Sequence, residues 1–166
     1  MANVVVLALV GFLHTLFTAI WIGGMIALAL TVLPTIRKTL GMGPESKKLI
    51  DNIRNSLSKI TYVAFIVLIA TGVLMSNSSP LFQGFFTLGN EYSLALTLKH
   101  ILVAIMIVIA ILRSRAVPRL EMEEPKRMKL MMMLLVTNII LGCAVLFLSS
   151  LLSAVVRTYL LEAVSP

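Results

Sequence analysis

The sequence predicts an all-α integral membrane protein: an up-down four-helix bundle, one domain over residues 1–166, with both termini outside. Three observations predict it. Hydrophobic residues make up 59% of the chain, against ~45–50% apolar in soluble domains. They gather in four long blocks separated by three polar loops. The basic residues concentrate in alternate loops. Crossing a hydrocarbon core of ~30 Å takes about 20 helical residues. Backbone in lipid must satisfy its own hydrogen bonds, which makes helix the default for such blocks. None of the blocks alternates apolar and polar residues as a barrel strand would.

The spans fall at about residues 3–33, 57–76, 92–112 and 129–159, with an error of roughly two to four residues at each end. The first block is too long for a signal peptide and lacks a positive leading segment, so it reads as a retained helix. Span 1 is expected to stop at Pro34. The first loop, 35–56, carries Arg37, Lys38, Lys47, Lys48 and Arg54, and Lys59 follows it. Its segment 44–53 has the pattern of an amphipathic helix continuous with span 2. The third loop, 113–128, carries Arg113, Arg115, Arg119, Lys126 and Arg127, with Lys129 next. The second loop, 77–91, has no lysine or arginine and sets Phe82, Phe85 and Phe86 around Gly84, a composition suited to the membrane interface. By the positive-inside rule, loops 1 and 3 face the cytoplasm, and loop 2 and both termini are extracytoplasmic, in the plasma membrane. Of the 14 basic side chains, this leaves two unexplained, Lys99 and Arg157, both near outer ends of spans.

Several function classes are excluded at this point. The net charge of +7 belongs to residues flanking apolar blocks, with no interleaved aromatics, so nucleic acid is not the partner. A single cysteine, Cys143, rules out a disulfide framework or a cysteine metal cluster and reads as a small hydrophobe. No acidic residue lies deep in a span, which argues against an ion-coupled pump. The ten methionines are scattered or consecutive, with no outer Met-x-x-Met, and read as apolar filling.

The two histidines are the informative residues. Spans 1 and 3 both start outside and run parallel. His14 lies 11 residues beyond Asn3 and His100 lies 8 beyond Tyr92, which at 1.5 Å per residue places them about 16 and 12 Å deep. Ionisable groups inside a bilayer are costly and point to function. Two imidazoles at one depth on two helices of a bundle suit the axial ligation of a haem iron. Gly11 and Gly24 near His14, with Gly72 and Gly142 on the returning spans, would leave room for a flat macrocycle. Lys99 and Arg157 would meet its propionates.

The segment His14-Thr15-Leu16-Phe17-Thr18-Ala19-Ile20-Trp21-Ile22-Gly23-Gly24-Met25, a His-x6-Trp-x-Gly-Gly arrangement, resembles the first core helix of CopD-type membrane domains, named for copper resistance. It is also similar to the opening of HemJ, a membrane protoporphyrinogen oxidase. Leu98-Lys99-His100-Ile101-Leu102, leading to Arg113, is similar to the lysine-led helix of both families. The resemblance to HemJ implies a b-type haem, with His14 at the position of a required histidine and Lys99 at that of the family lysine. The chain departs from HemJ after the glycine pair, where HemJ has tyrosine and Pro-Arg.

Together these readings lead to a small b-type cytochrome with haem b in the outer half of the bundle. His14 and His100 are its axial and metal-ligating residues. Lys99, Arg157, Gly11, Trp21, Gly24, Gly72 and Gly142 complete the cofactor surroundings. It would be a membrane oxidoreductase moving electrons from a quinol to an external acceptor. A copper-handling protein of CopD type, a HemJ-like oxidase and a structural subunit without cofactor are the other readings. Whether substrate turns over, and whether the chain forms a homo-oligomer in the lipid bilayer, stay open.

Overall fold

The structure, a computed structural model, describes residues 2–41 and 43–164. Four of its helices are long and apolar enough to cross a membrane, and no strand occurs among the described residues. In chain order the elements are α1 (Ala2–Ala27), a π-helical turn (Leu28–Val32), α2 (Leu33–Leu40), α3 (Pro44–Asn77), α4 (Glu91–Ile111), a second π-helical turn (Leu112–Ala116), a 3-10 turn (Val117–Arg119) and α5 (Glu124–Val164). Each span is a block whose backbone donors and acceptors pair within the segment, as hydrocarbon requires.

The helices run further into the polar ends than composition indicates. Span 1 does not stop at Pro34 but continues to Leu40. Proline has no N–H to give to the carbonyl four residues back. The helix absorbs this by widening the preceding turn: the Leu33 N–H reaches back to the Leu28 carbonyl, and Pro34 falls in the first turn of α2. Span 3 uses the same device, with the Val117 N–H bonded to the Leu112 carbonyl just before Pro118. The expected first loop, 35–56, is therefore mostly helix, and the amphipathic segment 44–53 is continuous with span 2 as its periodicity requires. Helix α5 has 41 residues, about 60 Å of helix, so it extends beyond the hydrocarbon.

Packing is pairwise. Helix α1 lies along α3, α4 lies along α5, and α1 also touches α5. One buried cluster joins Trp21, Ile22, Met25, Phe65, Met106 and Leu135 among others. A second, containing Tyr92, Ala95, Leu96, Leu148 and Leu152, sits between the start of α4 and the later part of α5. The pairs meet at Gly142. A β-carbon there would lie 3.3 Å from Met106 Cε and 3.4 Å from two carbons of Ile22. Beside it the Asn138 side chain is fully buried and donates to the Met106 carbonyl at 3.4 Å. At the basic ends, the Tyr62 hydroxyl bonds Ser114 Oγ at 2.7 Å, and Arg115 sits 5.3 Å over the Tyr62 ring. Lys47 and Arg127 both bond Glu124. Cys143 is exposed on the face away from the bundle.

Filling the Gly142 contact should loosen the bundle. Gly142→Val is expected to cost about 1–3 kcal/mol by overpacking, read as a lower thermal midpoint in detergent. Gly11→Val, where no atom lies within 4 Å, should leave the midpoint unchanged. Equal midpoints for the two variants would show that the helix pairs do not depend on close approach here.

Candidate functional site

His14 is half-buried on α1 and faces α3. Its Nδ1 lies 2.8 Å from Thr71 Oγ1, while that hydroxyl bonds the Val67 carbonyl at 2.6 Å. A hydroxyl has one proton. Thr71 gives it to the Val67 carbonyl, so toward His14 it accepts, and the imidazole carries its proton on Nδ1. The lone pair of His14 Nε2 is left available. Gly72 permits this approach, since a β-carbon there would lie 3.5 Å from His14 Cε1. Lys99 of α4 is near enough for its charge to act on His14. No carboxylate forms an ion pair with Lys99 among the described residues.

His100, on α4, reaches the same protonation pattern by a different route. Its Nδ1 lies 2.7 Å from the Leu96 carbonyl. A carbonyl only accepts, so Nδ1 donates and Nε2 again keeps its lone pair. Two rings from the loop between α3 and α4 pack on the imidazole. Phe85 meets it edge-on at 5.5 Å between centroids, and Phe86 lies at 6.2 Å. The backbone that presents them is unusual, with φ of 129° at Gly84 and 62° at Phe86. A left-handed conformation at a non-glycine residue costs roughly 1–2 kcal/mol. The loop is docked to α4 by the Asn90 side chain, which accepts from the Ser93 N–H at 2.7 Å and donates to the Leu81 carbonyl at 3.0 Å. Thr97 Oγ1 also donates to the Thr87 carbonyl at 3.1 Å.

The residues singled out by sequence thus fall into groups. His14, Gly72 and Lys99 come together, with Thr71 added. His100 stands with Phe85 and Phe86. No hydrogen bond or ring contact joins the two histidines among the described residues, and no three of His, Cys, Asp or Glu cluster there. Trp21, two turns along from His14, is buried with its ring 4.7 Å from Phe65, and its Nε1 has no partner. Arg157 is exposed on α5. The glycines hold different surroundings from a macrocycle slot. His14 itself occupies the space beside Gly72, Met106 and Ile22 fill that beside Gly142, and Leu57 lies 3.9 Å from a β-carbon at Gly24, whereas Gly11 is open.

Thr71 went unseen in the sequence because a threonine in a membrane helix is ordinarily accounted for by its own i−4 carbonyl. The only signal was its position beside Gly72. Thr71→Val keeps the shape and removes the acceptor of the His14 proton. Stability should fall by about 1–3 kcal/mol, the cost of a buried donor left unpaired. The ring-nitrogen NMR shifts of His14 should change while those of His100 stay fixed. Unchanged His14 shifts would show that Thr71 does not set its tautomer.

Residues 52–152 match the family described as Copper resistance protein D. The matched segment contains Thr71, Gly72, Lys99, His100 and Gly142, whereas His14, Trp21, Gly11, Gly24 and Arg157 lie outside it. The chain has no significant match among curated proteins or among solved structures. Four membrane-length helices and a family match covering more than half of the sequence lead to one assignment: the chain is a multi-pass membrane protein of the Copper resistance protein D family.

Proposed function

We propose that this protein handles copper in the plasma membrane, with His14 and His100 as the nitrogen ligands that meet the metal in the outer half of the bundle. The family match over residues 52–152 carries the reading. The chemistry of the two imidazoles supports it. Metal-binding histidines commonly donate the second ring N–H to a nearby oxygen, which fixes the tautomer and the ring orientation. Both histidines have that arrangement, with Nε2 left as the donor atom. Imidazole suits copper among the transition metals.

The haem reading rests on the same two Nε2 atoms. It is favoured by their similar depth on parallel helices. It requires α1, α3, α4 and α5 to part, because the contacts at Gly72 and Gly142 are filled by protein side chains. A single copper ion is far smaller than a macrocycle and asks for less displacement of these contacts, so copper is preferred.

Purified, reconstituted protein should retain copper when loaded under reducing conditions. His14→Ala and His100→Ala should each lower the amount retained. Protons compete with the metal for Nε2, so affinity should fall as the pH is lowered. A wild-type protein that holds no copper above a detergent blank overturns the reading. A red preparation with a reduced-minus-oxidised haem spectrum would replace it by the cytochrome.

We propose the basic ends as cytoplasmic. A cysteine at Gln83, in a Cys143→Ala background, should react with a membrane-impermeant thiol reagent on intact cells. One at Lys48 should react only after permeabilisation. The reverse pattern would invert the topology.

A further inference from the structure

At the opposite end of the bundle from the histidines lies a cavity of about 420 Å³, between the inner parts of α3, the turns after α4 and the start of α5. Lys47, Arg54, Arg113 and Arg127 line it, with Asp51 and Glu124 as its carboxylates. The carboxylates are already engaged. Glu124 bonds both Lys47 and Arg127, and Asp51 lies 3.5 Å from Arg54. Arg113 has no ion pair among the described residues, yet it is half-buried and close enough to Arg54 for their like charges to repel. The nearest extra group to Arg54 is a thioether, Met128 Sδ at 3.9 Å from its Nη2. Two guanidinium groups therefore face one shared space with a single carboxylate between them. Such a site is short of negative charge.

We propose that this cavity binds a phosphate group. Guanidinium forks match phosphate oxygens bidentately and are the usual means of holding them in partly dry surroundings. Asn55 and Ser58 of α3 add neutral donors. The floor is apolar, formed by Leu28, Leu57 and Met131, so the anion would sit at a boundary between charge and hydrocarbon. Two sources carry this chemistry, the headgroup of an anionic phospholipid and a soluble phosphate. The cavity is unsuited to copper despite Met128 and Met131, because its cations repel a metal ion. The inference is independent of the copper reading.

The test uses the full chain in nanodiscs of phosphatidylcholine, in buffer free of phosphate. Added phosphatidylglycerol is expected to raise the thermal midpoint and to remain bound through native mass spectrometry. If inorganic phosphate gives the protection and phosphatidylglycerol does not, the soluble anion is the source. Arg113→Gln should weaken whichever ligand binds by about tenfold or more, as for loss of a charge-assisted hydrogen bond. Lys59→Gln, outside the cavity, should not. If Arg113→Gln does not fold, Arg54→Gln serves in its place, and the wild-type measurements stand without either. Wild-type protein indifferent to both probes, or folded arginine variants that bind as well as Lys59→Gln, would overturn the proposal.

Discussion

The contact among Ile22, Met106 and Gly142 fixes the relation between the two halves of this protein. Lipid tails are as apolar as leucine, so burial of hydrocarbon does not drive membrane helices together. Close approach does, and it depends on small residues. Gly142 of α5 admits one side chain from α1 and one from α4 into van der Waals contact. Fully buried Asn138, one helical turn away, adds a hydrogen bond to the Met106 carbonyl. His14 belongs to the α1–α3 pair and His100 to the α4–α5 pair. Their separation and relative orientation are set by how the pairs meet at this point, about two helical turns inward from His14 and His100.

Within each half, the chain solves the same backbone problem in the same way. The basic ends of the first and third spans each contain a proline, Pro34 and Pro118. In both, a five-residue π turn, Leu28–Val32 or Leu112–Ala116, ends two positions before it. Widening the turn lets the helical path go on past a residue that gives no hydrogen bond. It also carries basic residues onward: Arg37 and Lys38 after the first, Arg119 after the second. The two hairpins are alike in this respect although their side chains show no repeat, since backbone geometry rather than residue identity is what they share. The extended helices bring Arg54, Arg113 and Arg127 to one cavity, instead of leaving them on separate flexible loops.

The four spans were legible because hydrophobic length is a direct physical requirement of the bilayer. The amphipathic start of α3 was legible for the same kind of reason, its apolar residues recurring at helical spacing. The inner ends were not. Polar residues on a helix leaving the membrane look like loop residues, and Pro34 looks like a terminator unless the π turn before it is foreseen. At the site, His14, His100 and Lys99 stood out because a titratable group in hydrocarbon is expensive. Thr71 did not, because its bond to Val67 accounts for it fully on a one-helix view. The glycines were read as empty space, which is what a missing side chain suggests in a sequence. In the structure a neighbour's side chain claims that space at Gly72 and Gly142. A sequence shows where a β-carbon is missing, but not which partner takes advantage of it.

Charge placement gives the molecule two chemically different ends. At the histidine end, the cation Lys99 acts on His14. At the opposite, basic end, four cationic side chains line a cavity with two carboxylates. Like charges repel more strongly in a partly dry site than in water. Repulsion scales with the charge of the incoming ion, so a doubly charged metal meets twice the penalty of a singly charged one at His14. On the proposed copper reading, this would favour Cu(I) over Cu(II) at His14. The same reasoning at the basic end, where the cations outnumber the carboxylates, disfavours metal ions and favours anions. One helical bundle therefore carries two imidazole lone pairs toward one end and an excess of cationic side chains at the other, set by a few charged side chains on a largely apolar frame.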